Sequence, residues 1–165
     1  MILDLSTIVN VDGKKLDFEG QLDFTGREEQ GVSFISPVTV CGRLSNMGGS
    51  LELEAVAKMQ LGFLCDRCLE AIEEDFECSF KEVLRKEDEK SSEDKNPDVM
   101  SFKGNSIELD EIVLNNIIVE VPLKHLCKED CKGLCPNCGQ NLNNGECQCD
   151  TRPTDPRFDI LDKLL

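Results

Sequence analysis

The sequence predicts an α+β fold: an antiparallel β-meander or half-barrel covered by one helix, then a C-terminal zinc knuckle and a short amphipathic tail helix. Three observations carry that reading. Apolar and polar residues alternate along much of the stretch from Leu16 to Phe80, a single apolar stripe of helical period runs from Leu109 to Val121, and six of the ten cysteines crowd between Cys127 and Cys149. Period-two alternation marks strands with one buried face, and a 3.6-residue stripe marks a helix that covers apolar surface.

The strands come first. Leu16, Phe18, Leu22 and Phe24 alternate with Asp17, Glu19, Gln21 and Asp23; Val38, Val40 and Leu44 repeat the period. In the longest run, Leu51, Leu53, Ala55, Ala57, Met59, Leu61 and Phe63 stand against Glu52, Glu54, Lys58 and Gln60. Asn46 to Gly49 supplies a turn between two such strands, and Phe76, Cys78 and Phe80 continue the pattern. By the same pattern Cys41 and Cys78 read as core residues.

Residues 86–98 contain Lys, Glu, Asp, Ser, Asn, Pro and no apolar side chain, which reads as a charged loop before a further strand at 99–102. A helix over 109–121 follows. Leu109, Ile112, Val113, Ile117 and Val121 share one face, Asp110 and Glu111 sit where the dipole favours acids, and Pro122 ends it. The boundaries expected are a β-rich body over 1–126, a zinc-binding module over 127–150 and an amphipathic tail over 151–165. In the tail, Asp155-Pro156 reads as a helix start, with Phe158, Leu161, Leu164 and Leu165 beyond it.

The chain has 165 residues, enough for one domain with a core or a domain plus a small module. A net charge of −15 disfavours broad binding to nucleic-acid backbones and favours a basic partner. The opening residues lack a signal peptide's basic start and apolar run, and no stretch approaches a membrane span. A cytoplasmic location is therefore expected, where reduced thiols argue for metal over disulfides.

Cys135-Pro136-Asn137-Cys138-Gly139 is a C-x-x-C turn whose glycine supplies positive φ, and Cys147-Gln148-Cys149 offers two more thiolates. Cys135, Cys138, Cys147 and Cys149 are the preferred ligands of a structural zinc. Cys127 and Cys131 are a competing pair, able to replace Cys147 and Cys149, and iron is the chemical alternative to zinc. Cys65-Asp66-Arg67-Cys68 is a second C-x-x-C. With Cys127 and Cys131 it would form a second S₄ site, a possibility ranked below the single site. A redox pair at Cys65 and Cys68 is discounted, because it calls for a helix N-terminus in a βαβ setting. His125, the single histidine, reads as a solvated loop residue with a spare-ligand alternative. Carboxylates lie on wet strand faces and form no acid/base dyad, so no enzyme is expected.

Several strings, taken together, resemble the YceD family of large ribosomal RNA subunit accumulation proteins. They are 63–70 around the first C-x-x-C, 117–127, 129–139, Asn141-Leu142-Asn143 and Asp155-Pro156-Arg157-Phe158. The resemblance implies a bacterial or organelle-type factor needed for accumulation of large-subunit ribosomal RNA. It also implies a structural role for the metal, since some relatives lack the cysteines; relatives that carry His-x-His where Cys147 and Cys149 stand favour those two positions as ligands, a substitution that metal ligands tolerate. The function expected is a non-enzymatic ribosome-biogenesis factor, an acidic adaptor for a basic ribosomal protein or assembly factor. Its alternatives are direct RNA contact through Lys124, Lys128, Lys132 and Arg152, a thiol redox protein using Cys65 and Cys68, a nuclease for which no centre can be assembled, and a zinc-donor protein.

Overall fold

A computed structural model describes residues 1–87 and 99–149. Most of the charged loop expected at 86–98, and the whole tail expected at 151–165, lie outside the described residues. The chain divides into two units. The first comprises Met1–Phe63 and Glu73–Leu123; the second comprises Leu64–Ile72 and the described residues from Lys124 onward. The segment around the first C-x-x-C thus groups with the C-terminal cysteines.

In the first unit, β1 (Ile2–Asp4) precedes β2 (Lys15–Leu22), β3 (Glu28–Glu29), β4 (Val32–Phe34) and β5 (Val38–Asn46). The long strands β6 (Ser50–Leu64) and β7 (Ala71–Lys86) follow, then β8 (Met100–Phe102), β9 (Ser106–Glu108) and α1 (Asp110–Glu120). The main sheet runs β2-β5-β6, with β4 also on β6, β3 on β4, and β7 joining β6 to β8. It is mostly antiparallel; β7–β8 is a parallel pair, Leu84 opposite Met100. A plain meander describes only β5-β6-β7. The short β3–β4 excursion interrupts it, and β2 returns to β5 with Leu16 opposite Leu44 and Leu22 opposite Val38. β1 pairs with β9 in a separate two-stranded sheet.

Alternation places the core. Leu51, Leu53, Ala55, Ala57, Met59, Leu61 and Phe63 of β6 are all buried, together with Val38, Val40 and Leu44 of β5. Ile112, Val113, Leu114 and Ile117 of α1 close over the same cluster. Asn116 on α1 donates from Nδ2 to Glu82 Oε1 at 2.9 Å, which fixes the helix against β7. Space is tight where Phe18, Gly42 and Ala55 face one another on adjacent strands: a Cβ on Gly42 would come within 2.8 Å of Phe18 and of Ala55.

The predicted turn at Asn46 does more than reverse the chain. Asn46 is buried; its Nδ2 donates to the carbonyls of Ile8 (2.7 Å) and Val9 (3.0 Å), and its Oδ1 accepts from the N–H of Gly48 (3.1 Å) and Gly49 (3.2 Å). A buried amide with all these partners costs little, whereas one without them would be strongly destabilising. Among the described residues, no helix is long and apolar enough to cross a membrane.

Candidate metal centres

The second unit is built on the same turn used twice. In Cys65–Glu70, the N–H of Leu69 bonds to the carbonyl of Cys65 at 2.9 Å, and the N–H of Cys65 to the carbonyl of Glu70 at 2.8 Å. In Cys135–Gln140, Gly139 bonds to Cys135 at 2.9 Å and Cys135 to Gln140 at 2.8 Å. The residue after the second cysteine is left-handed in both, Leu69 at φ 60° and Gly139 at φ 72°. In each turn the N–H groups two and three residues on reach the first sulfur, from Arg67 and Cys68 in one and from Asn137 and Cys138 in the other. Amides aimed at a sulfur stabilise its thiolate, which is the form that binds metal.

Each turn is completed by a second pair. Cys65, Cys68, Cys127 and Cys131 form one quartet, and Cys135, Cys138, Cys147 and Cys149 the other; within each, all four sulfurs lie within 4.8 Å of one another. A tetrahedron with metal–sulfur bonds of about 2.3 Å has sulfur–sulfur edges of about 3.8 Å. Cys65 and Cys131 Sγ are 3.8 Å apart, and Cys68 and Cys127 Sγ 3.5 Å. Disulfide sulfurs would sit at about 2.05 Å. Both quartets can therefore hold a metal ion, on spacing as well as on donor chemistry.

Ionisation in the quartets follows from crowding. Burial pushes Cys65 up, but the N–H groups of Cys127, Cys68 and Arg67 outweigh it and hold the thiol at about 6. For Cys68 the N–H of Glu70 favours the thiolate, yet burial and the neighbouring sulfurs drive it to about 12. Cys135 is held at about 6 by the N–H groups of Cys138 and Asn137, while Cys149 is driven to about 12 by Cys138 and by burial. Four thiolates this close repel one another, so only some ionise until a cation joins them.

Supporting contacts surround the first quartet. Ile72, Leu126 and Leu134 pack against Cys65, Cys68 and Cys131. Arg67 donates from Nη1 to the Cys131 carbonyl at 2.7 Å, and its own carbonyl accepts from Leu134 N–H at 3.0 Å. That approach needs Gly133, since a Cβ there would meet the Arg67 carbonyl at 2.9 Å. Asn143 Nδ2 donates to Cys131 Sγ at 3.3 Å.

Of the six C-terminal candidates, Cys127 and Cys131 are placed with Cys65 and Cys68, not with Cys135 and Cys138. Cys78 is buried, as alternation predicts. Cys41 is exposed, which corrects the expectation of a core thiol: Val38, Val40 and Leu44 face inward on β5, so position 41 has the opposite parity. His125 belongs to neither quartet; its backbone pairs with Asp66, N–H to Oδ2 at 2.7 Å and carbonyl from Asp66 N–H at 2.9 Å. Sequence reasoning gave Arg67, Gly133, Asn141 and Asn143 no role of their own, although all four lie within the strings that carry the family resemblance. The three asparagines at 141, 143 and 144 in a turn between cysteines were the signal available for the last two.

Comparison with known proteins adds a family. The family model described as "Large ribosomal RNA subunit accumulation protein YceD" matches residues 51–165, a span containing both quartets. Uncharacterized protein YlbN of Bacillus subtilis (strain 168) is 29% identical over 132 residues, 79% of this chain and 76% of the relative. Uncharacterized protein Rv2926c of Mycobacterium tuberculosis (strain ATCC 25618 / H37Rv) is 29% identical over 79 residues, 47% of this chain. The match spans 38% of that mycobacterial relative. No solved structure matches the chain.

Proposed function

We propose that this chain, which belongs to the YceD family, is a non-enzymatic ribosome-biogenesis factor that supports accumulation of large-subunit ribosomal RNA as a cytoplasmic, acidic adaptor. The family match is the observation that carries the reading. The adaptor part rests on charge. A net charge of −15 repels phosphate backbones and attracts basic ribosomal proteins or basic assembly factors. β7 presents exposed Glu73, Glu74 and Asp75 in succession, a concentration of acid suited to a basic chain, with Glu77 beyond them paired to Lys58 at 3.0 Å. Zinc is the ion proposed for both quartets, with iron the chemical alternative, because all-thiolate tetrahedral donors suit it and leave no open position for catalysis.

The redox alternative needs an accessible nucleophile, and Cys65 is 0% exposed. Its C-x-x-C also falls between β6 and β7, and among the described residues no helix begins at it. For direct RNA contact, Lys124, Lys128 and Lys132 are exposed but interleaved with exposed Glu129 and Asp130, which weakens any phosphate patch; Arg152 lies outside the described residues.

The test is affinity capture with the tagged full chain from bacterial lysate at low and high salt, with mass spectrometry and RNA sequencing of what is retained. Basic large-subunit proteins or their assembly factors, retained at low salt and lost at high salt, are expected. Retention of none of these would sink the adaptor. RNA retained without protein, and lost when the three lysines are changed to Ala, would replace it with direct RNA binding.

A further inference from the structure

We propose that the two quartets are non-equivalent sites for a thiophilic divalent ion such as zinc. In this proposal Cys65, Cys68, Cys127 and Cys131 form an inner site that keeps its ion. Cys135, Cys138, Cys147 and Cys149 form an outer site whose ion exchanges with solution thiols and chelators. Asn143 couples the inner site to the outer. The proposal rests on reading both quartets as metal sites.

The first argument is access. In the inner quartet, Cys65, Cys68 and Cys131 are buried and Cys127 is half-buried, behind Ile72, Leu126 and Leu134. In the outer quartet only Cys135 is buried; Cys147 and Cys149 are half-buried and Cys138 is exposed. Exchange begins when an incoming donor or a proton reaches a bound thiolate, so an apolar wall slows it and an exposed sulfur starts it.

The second argument is chain geometry. The inner quartet joins Cys65–Cys68 to Cys127–Cys131, segments far apart in sequence and held together by several bonds besides the sulfurs. Arg67 is bonded to both Cys131 and Leu134, and Asp66 to His125. The outer quartet draws all its ligands from 135–149, so a local opening of one short loop exposes it. Loss of the outer ion involves no redox step. Four metal–sulfur bonds break, the acceptor's donors bind the ion, and those freed thiolates that do not stay ionised take up protons from water.

The third argument concerns the loop between Cys138 and Cys147, which carries the inner site's own support. Asn143 Nδ2 donates to Cys131 Sγ (3.3 Å) and to Asn141 Oδ1 (2.9 Å), while its Oδ1 accepts from Lys132 N–H at 2.9 Å. Leu142 N–H bonds to the Gly133 carbonyl at 2.9 Å, and Asn141 Nδ2 reaches Glu70 Oε1 at 3.3 Å. An ion at Cys138 and Cys147 anchors both ends of this loop. Emptying the outer site therefore loosens, without releasing, the residue that hydrogen-bonds an inner thiolate, since Asn143 keeps its bonds to Lys132 and Asn141; this is a positioning role for Asn143.

The experiment uses the full zinc-loaded chain. Elemental analysis counts ions, an excess of chromophoric chelator times their release, and pulsed alkylation with mass spectrometry identifies which thiols open in each phase. The expected result is two ions leaving in two phases, the second at least about tenfold slower, with Cys135, Cys138, Cys147 and Cys149 alkylated in the first. Asn143→Ala should accelerate only the slow phase, by about tenfold, and Asn143→Ser, which keeps a donor, should restore part of the difference. A single phase for both ions, or inner cysteines alkylated first, overturns the asymmetry. An unchanged slow phase in Asn143→Ala overturns the coupling. No bound ion at all would overturn the metal reading itself, while leaving the adaptor reading to its own test. The wild-type alkylation pattern needs no variant to fold.

Discussion

Leu69 holds a conformation that its side chain disfavours. Its φ of 60° is the left-handed region, which costs a non-glycine residue about 1–2 kcal/mol. The twin turn has Gly139 at the matching place, with the same 2.9 Å closing bond, so the turn itself imposes the conformation. Leu69 is 61% exposed and has little packing to lose. Leu69→Gly is expected to stabilise the zinc-loaded protein by up to about 1 kcal/mol, and Leu69→Ile to destabilise it by a similar amount. Chemical denaturation of both variants checks this; a Leu69→Gly protein no more stable than Leu69→Ile would refute the strain argument. The strain was not legible in the sequence. Glycine after Cys138 announces a left-handed residue, whereas leucine after Cys68 carries no such signal, and only the repeated hydrogen-bond closure reveals it.

Strand alternation decides which cysteines outside the quartets meet solvent. Cys78 faces inward on β7, where burial and the nearby Glu120 carboxylate push its thiol up. A raised value means less thiolate at any pH near neutrality, so both access and chemistry protect it. Cys41 faces outward on β5, across from Glu19 and Val56. In the zinc-loaded protein, alkylation at pH 8 is expected to modify Cys41 rapidly and Cys78 only after unfolding, read by peptide mass spectrometry. Rapid labelling of Cys78 would contradict the inward register of β7. The long strands and α1 were legible because seven alternating residues or three helical turns give a period that chance rarely imitates. β1, β3, β4 and β9 were not, since two or three residues carry no period. The pairings β1–β9 and β2–β5 join residues remote in sequence, which local pattern cannot register. The cysteine clusters were legible as ligands from type and spacing. Their division into these two quartets was legible only as the lower-ranked alternative, because it depends on which segment meets the turn at Cys65–Cys68.

The two units have different reasons to be folded. The first contains an aliphatic and aromatic core that includes Leu5, Ile8, Phe34, Val38, Val40, Leu44, Leu53, Leu61, Leu84, Val113 and Ile117. Burial of each such side chain contributes about 1.5–3 kcal/mol, so this unit has a driving force of its own. In the second, the buried cluster consists of Cys65, Cys68 and Cys131, with Ile72, Leu126, Cys127 and Leu134 partly buried beside them. So little apolar surface cannot offset the entropy of ordering 124–149, and metal binding, worth about 10–16 kcal/mol in small zinc peptides, is the term that can. Removing the metal should then unfold the second unit and leave the first folded. In hydrogen exchange after exhaustive chelation, the amides of β5 and β6 up to Phe63 are expected to stay protected. Those of Leu134, Cys135, Gly139 and Leu142, whose bonds define the second unit, should exchange freely. Protection surviving at these four amides without metal would mean that the polar turns of this unit hold themselves. Simultaneous loss at β5 and β6 would mean that the first unit depends on the quartets as well, and that its own core is not sufficient.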